Sequence, residues 1–263
     1  MEYQAIEFSV QDGYALITLN RPEKMNAMNS QMRAEVTHAV RDVSMNGASM
    51  GARAVVLRGA GRAFCSGQDL GGQGSVATID LERVLRDEYV PMVRAIMDSE
   101  LPVIAAVHGA AAGAGANLAL ACDVVIASES AFFMQAFSRI GLMPDAGGTY
   151  MLPRQVGMAK AMGAALFADR ISAKQAEAWG MIWEAVPDDA FEAHWKARAA
   201  HLGNGPTEAY SATKAALQAS FGNTLADQLA LEAKLQGKCG KTRDFQEGSV
   251  AFLEKREAKF EGR

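Results

Sequence analysis

The chain has 263 residues, of which 49% are hydrophobic and 21% are charged, and its formal net charge is −4 at pH 7. This is the composition of an ordinary globular protein, long enough for one large domain or two small ones. The mild acidic balance argues against a general nucleic-acid binder, which normally carries a basic patch, and leaves room for a local cationic pocket.

Membrane and metal-site signals are missing from the sequence. No apolar run approaches the roughly 20 residues of a membrane helix, and the first residues have neither the basic nor the apolar region of a signal peptide. The three cysteines are odd in number and far apart, which favours reduced thiols. We therefore expect a cytoplasmic protein with no membrane partner, and the absence of CxxC and HExxH spacings predicts no metal site.

Alternating strands and helices are predicted for the first two thirds of the chain, which indicates an α/β fold. Ser30 is the expected N-cap of the first long helix, which should end at Asn46-Gly47, and Pro91 should bend the second helix. Predicted strands cover residues 3–10, 14–20, 54–58, 102–107, 123–127, 131–134 and 182–186. Predicted helices cover residues 30–46, 80–98, 116–121, 150–156, 158–167 and 173–179.

The remainder of the chain, from Asp188 onwards, is predicted to be entirely helical. The apolar patterns favour helices over 188–203, 207–220, 224–237 and 241–257. We expect two units: a core at 1–195 and a helical C-terminal module at 196–263.

Three glycine-bearing turns, at 61–74, 109–117 and 141–149, follow strands or precede helices. Such turns leave backbone N–H groups free to hold negative charge. Two of them together could form an oxyanion hole, and Asp145 could move a proton beside it. The alternatives are a surface connection at 61–74, close helix packing at 109–117, and an N-cap or turn aspartate at position 145.

Several of these stretches resemble one protein family, the crotonase (enoyl-CoA hydratase/isomerase) superfamily, over essentially the whole chain. The resemblance is carried by residues 20–26, 64–69, 113–117, 121–123, 144–148 and 252–256. It implies a spiral of β-β-α units and a C-terminal trimerisation module. It also implies an acyl-CoA substrate without a separate cofactor, and a homotrimer or a dimer of trimers. Residues 62–70 and 141–149 are most similar to the branch that isomerises the ring epoxide of phenylacetyl-CoA.

The resemblance also implies roles for individual residues. The backbone N–H groups of Ser66 and Ala114 would form the oxyanion hole for the thioester carbonyl, and Asp145 would be the general acid/base. The segment 70–90 would shape the acyl pocket. The other implied contacts to the acyl-CoA are Lys24, Ala27, Ala63, Gln68, Asp69, Leu70, Asn117 and Phe137, with Phe252 and Lys255 at the adenine and phosphate end.

Two positions depart from the pattern of a family hydratase, which generally has two glutamates. Here those positions are Asn117 and Phe137, which titrate nothing. Water addition needs two proton-handling groups, whereas a double-bond shift through a dienolate needs only Asp145. We therefore expect an acyl-CoA isomerase, with a hydratase and a non-catalytic CoA-binding scaffold as alternatives. The family also contains the 4-chlorobenzoyl-CoA dehalogenase branch, which uses a histidine base and a tryptophan. Dehalogenation is disfavoured here, because Val90 and Phe137 stand at those positions.

Overall fold

Nine β-strands form two sheets in the part of the chain that the structure describes. The structure is a computed structural model, and it describes residues 2–71 and 79–263. The strands are β1 (Ile6–Gln11), β2 (Tyr14–Leu19), β3 (Ala54–Gly59), β4 (Val103–Val107), β5 (Ala110–Ala112), β6 (Val124–Ser128), β7 (Phe132–Met134), β8 (Ile171–Ser172) and β9 (Glu184–Val186). The larger sheet has the order β1-β2-β3-β4-β6-β9 and the smaller one the order β5-β7-β8.

Ten α-helices surround these sheets in the same described ranges. They are α1 (Ser30–Met50), α2 (Leu81–Val84), α3 (Val90–Met97), α4 (Ala114–Leu120), α5 (Gly148–Phe167), α6 (Ala173–Ala178), α7 (Asp188–Gly203), α8 (Thr207–Ala219), α9 (Leu225–Cys239) and α10 (Arg243–Glu254). Short 3₁₀ turns lie at Pro22–Lys24 and Ala136–Ile140, and a π-helical turn lies at Leu85–Tyr89.

The strands β2, β3, β4 and β6 of the larger sheet are buried on both faces, which explains their continuous apolar runs. Only β1 and β2 pair antiparallel, and each later neighbour is parallel. Successive residues of β3 alternate between two cores: Val55 and Leu57 pack in the main cluster, and Val56 packs in a second cluster around Trp195 of α7. The sheet is thus a rigid layer between helices.

A repeated β-β-α unit builds the interior of the fold. In β4-β5-α4 and in β6-β7-α5, the first strand joins the larger sheet and the second strand joins the smaller one. The chain therefore advances from unit to unit as a spiral, which confirms the predicted α/β class. The connections from β5 to α4 and from β7 to α5 are the second and third glycine-bearing turns, so the spiral places both turns within the same layered core.

Several predicted boundaries of the helices were wrong. The N-cap of α1 is Asn29, not Ser30, because the Asn29 side chain accepts a hydrogen bond from Met32 N at 2.9 Å. The same helix passes Asn46-Gly47 and ends at Met50, where Gly51 adopts a left-handed conformation (φ 75°). The helix α4 begins at Ala114, two residues earlier than expected.

The helix predicted over 80–98 is interrupted just before Pro91, and the bend itself stays a prediction. The segment predicted as one helix over 80–98 is α2, the π-helical turn and α3, with Pro91 in the first turn of α3. Proline lacks a backbone N–H, so the regular helical ladder cannot continue through it. Tyr89, the last residue of the π-helical turn, is 2% exposed.

The helices after α7 pack more loosely against the core. Neither α8 nor α9 contains a buried residue. Lys214 of α8 is anchored to the core by an ion pair with Asp123 at 2.9 Å. The division at 195/196 stays a prediction, and it falls inside α7. None of the helices in the described ranges is long and apolar enough to cross a membrane.

Candidate active site

Two loops approach each other closely at the start of α4. A Cβ atom built on Gly67 would lie 3.0 Å from Ala112 O and 3.6 Å from Ala114 N, and Gly67 has a φ of +101°. A Cβ on Gly115 would collide with the carbonyl oxygen of Cys65. Larger residues at 67 or 115 would separate the loops, so these glycines bring the backbone of 66–68 to the first turn of α4. Residues 72–74 of the first glycine-bearing turn lie outside the described residues, as do residues 72–78 of the segment 70–90 that was expected to shape the acyl pocket.

The backbone N–H groups of these loops are not equally available. The N–H of Ser66 donates to Met25 O at 3.0 Å, so it is already satisfied. Within residues 2–71 and 79–263, neither Gln68 N nor Ala114 N has an acceptor. We therefore correct the first predicted donor from Ser66 to Gln68. Ala114, as predicted, offers a free N–H, because it opens a helix.

Asp145 lies in the turn that precedes α5. Its backbone oxygen accepts a hydrogen bond from Gly148 N at 2.8 Å, and Ala146 and Gly147 both have positive φ. Its Oδ1 atom is buried and has no hydrogen-bond partner among the described residues. Burial raises the pKa of the Asp145 carboxyl to about 6, because the ionised form is poorly solvated. An aspartate of this kind accepts and returns protons near neutral pH.

Asn117 of α4 holds the backbone of this turn by a hydrogen bond. Its side-chain N–H donates to Asp145 O at 2.8 Å, and its Oδ1 accepts from Gln135 Nε2 at 2.8 Å. A Cβ on Gly148 would collide with the Asn117 amide, so the glycine is needed for this contact. The buried Asn117 was predicted to touch substrate, and the structure instead commits its amide to holding the backbone of Asp145.

Phe137 provides an apolar wall beside the second loop. Its ring lies 3.8 Å from the position that a Cβ on Gly113 would occupy, and the side chain is 6% exposed. The two positions at which a hydratase carries glutamates thus hold a structural amide and a buried phenyl ring. Asp145 has no titratable partner at either position.

A buried polar network under the Gln68 loop escaped the sequence analysis. The guanidinium of Arg33, a fully buried side chain, donates to Gln68 Oε1 at 2.9 Å and to Met28 O at 2.7 Å. It also pairs with Glu88 at 2.6 Å, and Tyr89 OH donates to Gln68 Oε1 at 2.5 Å. A usable signal was present, because Arg33 falls on the same apolar face of α1 as Val36 and Val40.

The residues predicted to contact CoA differ in their burial and in their bonding to the protein. Asp69 pairs with Arg21 at 2.8 Å. Burial opposes ionisation of Asp69, but hydrogen bonds from Arg21 and from Gly71 N and the charge of Arg21 outweigh it, so the pKa of Asp69 is lowered. This carboxylate is therefore ionised and bonded to groups of the protein itself. Lys24 and Leu70 are exposed near it.

Other predicted contacts differ in their accessibility. The side chains of Ala27 and Ala63 are buried, so only their backbones could meet a ligand. Phe252 on α10 and Lys255 just after it are exposed. Contact of these two residues with CoA stays a prediction.

Cys65 and His108 have the surroundings of residues that stabilise the fold. Burial raises the pKa of the Cys65 thiol to about 12, which excludes a thiolate nucleophile at neutral pH. The ring of His108 bonds Gly61 O at 2.8 Å. No group of three or more metal-ligating side chains is present in the described part of the chain. That the reaction needs no cofactor stays a prediction.

Comparisons with known proteins agree with this architecture. A family model described as enoyl-CoA hydratase/isomerase matches residues 9–263. A probable enoyl-CoA hydratase of Rhodobacter capsulatus is 60% identical over 100% of both chains. A 1,2-epoxyphenylacetyl-CoA isomerase of Escherichia coli is 43% identical over 97% of both chains. The crystal structure of a putative enoyl-CoA hydratase/isomerase from Mycobacterium abscessus superimposes with a TM-score of 0.92 at 35% identity, covering 98% of this chain and 100% of that one.

The family model spans nearly the whole chain, the relatives match it from end to end, and the spiral of β-β-α units is shared with a solved structure. The chain therefore belongs to the enoyl-CoA hydratase/isomerase family, the crotonase superfamily that its glycine-bearing motifs resemble.

Proposed function

We propose that this protein is an acyl-CoA isomerase that moves a double bond, or rearranges a ring epoxide, in the acyl group of a CoA thioester. The observation that carries the proposal is the surroundings of Asp145. The Asp145 carboxyl is partly buried, its Oδ1 atom has no partner among the described residues and its pKa is raised to about 6, and Asn117 and Phe137 stand where a hydratase has acids. The 43% identical relative named 1,2-epoxyphenylacetyl-CoA isomerase supports this choice.

The proposed double-bond shift needs one base and one oxyanion hole. The Asp145 carboxylate takes a proton from the α-carbon of a β,γ-enoyl thioester, and the electron pair moves onto the thioester oxygen. The free N–H groups of Gln68 and Ala114 stabilise that enolate oxygen. The Asp145 carboxylic acid then returns the proton to the γ-carbon, which leaves an α,β-enoyl thioester and the carboxylate ready for the next turnover.

Hydration is the second candidate, because the 60% identical relative is named a probable enoyl-CoA hydratase. A hydratase has to activate a water molecule and to handle the α proton as well. The described site offers Asp145 alone for these two tasks, which favours isomerisation. A non-catalytic CoA-binding scaffold is the third possibility, and it requires no turnover at all.

An assembly of three copies, or a dimer of trimers, belongs to the same proposal. An apolar groove of about 1110 Å³ runs between α8, α9 and α10. Large apolar side chains are exposed on these helices and in the connection between α8 and α9: Leu217, Phe221, Leu225, Leu229, Phe245, Phe252 and Leu253. An exposed apolar surface of this kind is typical of a protein interface, and a neighbouring copy there would bring Phe252 and Lys255 towards a bound CoA.

We place the reaction in the cytoplasm.

A panel of CoA thioesters tests the reaction class. We expect turnover of a β,γ-enoyl-CoA or of the ring epoxide of phenylacetyl-CoA, with a change in ultraviolet absorbance and no change in mass. Addition of one water molecule to the product would indicate the hydratase instead. The absence of turnover across the panel would favour the scaffold.

The rate of isomerisation should depend on pH through Asp145. Its pKa is raised to about 6, so the active carboxylate is lost by protonation as the pH falls through that value. We expect kcat/KM to be flat above about pH 7 and to fall about tenfold per pH unit below about pH 5.5. Kinetics between pH 4.5 and 8 measure this profile, and an activity that persists unchanged to pH 4.5 would contradict the assignment of Asp145 as base.

A further inference from the structure

The side-chain amide of Gln68 has a fixed orientation. Its Oε1 accepts hydrogen bonds from Arg33 Nη1 at 2.9 Å and from Tyr89 OH at 2.5 Å. A guanidinium can only donate, so the oxygen must face Arg33 and the NH₂ group must face the opposite way. The buried Arg33–Glu88 ion pair holds this arrangement in place.

The NH₂ group of Gln68 has no partner in the described ranges. Its Nε2 atom is buried, and no hydrogen-bond acceptor of residues 2–71 or 79–263 reaches it. A buried amide donor without an acceptor costs free energy, and a ligand oxygen placed beside it would recover that cost. Asp145 Oδ1 is likewise buried and unpartnered, which means that these two atoms do not satisfy each other.

The same residue also carries the free backbone N–H proposed for the oxyanion hole. Gln68 thus has two independent unpaired donors, one on the backbone and one on the side chain. The thioester oxygen can take only the first of them. Tyr89, which helps to orient the side chain, comes from the π-helical turn before Pro91, and such turns occur frequently at functional sites.

We propose that the Gln68 side-chain amide donates a hydrogen bond to a second oxygen, one that the acyl group carries beyond the thioester. This inference rests on the proposed function and narrows its substrate class to oxygenated acyl-CoA thioesters, in which the oxygen is an ether, an epoxide or a hydroxyl group. A neutral oxygen fits better than a carboxylate, because the ionised Asp145 would repel a further negative charge.

The test compares matched thioesters in the wild-type protein and in the Gln68→Met variant. Each pair consists of a β,γ-enoyl-CoA with an alkyl tail and its analogue in which one methylene is replaced by an ether oxygen, with the oxygen placed at successive positions. The measured quantity is the ratio of kcat/KM for the ether to kcat/KM for the alkyl compound. Methionine is close to glutamine in length and retains the backbone N–H, so the variant removes the side-chain donor.

At one position of the oxygen we expect the wild-type ratio to exceed about 10, and Gln68→Met to lower this ratio by about 10- to 100-fold. Tyr89→Phe should lower it less, because Arg33 still orients the amide. A ratio that Gln68→Met leaves unchanged at every position would overturn the inference and leave Gln68 as a positioning residue.

Two further measurements keep the test decisive. Calorimetric binding of saturated ether and alkyl thioesters to the wild-type protein needs no variant, and equal affinity at every oxygen position would overturn the inference even if Gln68→Met fails to fold. Asp145→Asn separates the two proposals. If it retains full turnover, the proposed function fails. If Asp145→Asn loses turnover, and the ether-to-alkyl ratio of kcat/KM is the same in the wild-type protein and in Gln68→Met, only the present inference fails.

Discussion

Replacing Asp145 by asparagine should lower kcat/KM for isomerisation of a β,γ-enoyl-CoA by about 10²- to 10⁴-fold. Asparagine is nearly the same size and cannot take a proton, and neither Asn117 nor Phe137 can substitute as a base. Steady-state kinetics on purified protein measure the loss. Asp169→Asn is the matched control, because Asp169 is exposed and makes the same change of charge. Full activity of the Asp145 variant would contradict the proposed base.

The same variant should fold at least as well as the wild-type protein, so its inactivity will not reflect unfolding. The pKa of Asp145 is raised on folding, so its ionised form opposes the folded state above about pH 6, and the cost disappears below about pH 4, where the carboxyl is protonated in both states. After allowance for partial solvent screening, we expect Asp145→Asn to raise the free energy of unfolding by about 1 to 2 kcal/mol at pH 7. The gain should vanish at pH 4.

Replacing Arg33 by leucine should lower the free energy of unfolding by about 3 to 5 kcal/mol. The side chain of Arg33 is 0% exposed, and that of Glu88 is 17% exposed. Removal of the guanidinium takes the shortest donor from the Glu88 carboxylate and from Met28 O, and leaves Gln68 Oε1 with Tyr89 OH alone. Urea denaturation measures the loss.

Two variants control the Arg33 prediction. Arg41→Leu changes an exposed arginine of the same helix and should alter stability by less than about 0.5 kcal/mol. The double variant Arg33→Leu with Glu88→Leu should recover part of the loss, because it no longer buries an unpaired charge. A loss below about 1 kcal/mol for Arg33→Leu alone would show that water replaces the guanidinium without cost.

Most of the fold could be predicted from local patterns, and the elements that could not are those with little local signal. Strands of the larger sheet are apolar runs between turn residues, and the long helices have clear periodicity. The strand β5 is three alanines, and β8 has two residues. Each exists only because a neighbouring strand pairs with it, and no propensity within so short a segment can predict such pairing.

The site shows the same division between local and tertiary information. Asp145 was proposed because an aspartate in a glycine-bearing turn before a helix can move a proton, whereas Ala114 was proposed from the family resemblance. The N–H of Ala114 is free in the described residues, and the catalytic roles of both residues stay predictions. The prediction that the Ser66 N–H is available was wrong, because its hydrogen bond to Met25 O joins distant parts of the chain. Asn117 was correctly recognised as unable to titrate, but its role in holding the Asp145 turn depends on contacts that only the fold creates.

As the one acid/base group of the proposed site, Asp145 favours isomerisation over hydration. The most direct test is to measure kcat/KM of the wild-type protein for isomerisation of a β,γ-enoyl-CoA and for hydration of crotonyl-CoA under identical conditions at pH 7.5. We predict that isomerisation is faster by at least about 10²-fold, since hydration lacks its second acid/base group. Hydration of crotonyl-CoA at a comparable or greater rate would contradict the claim.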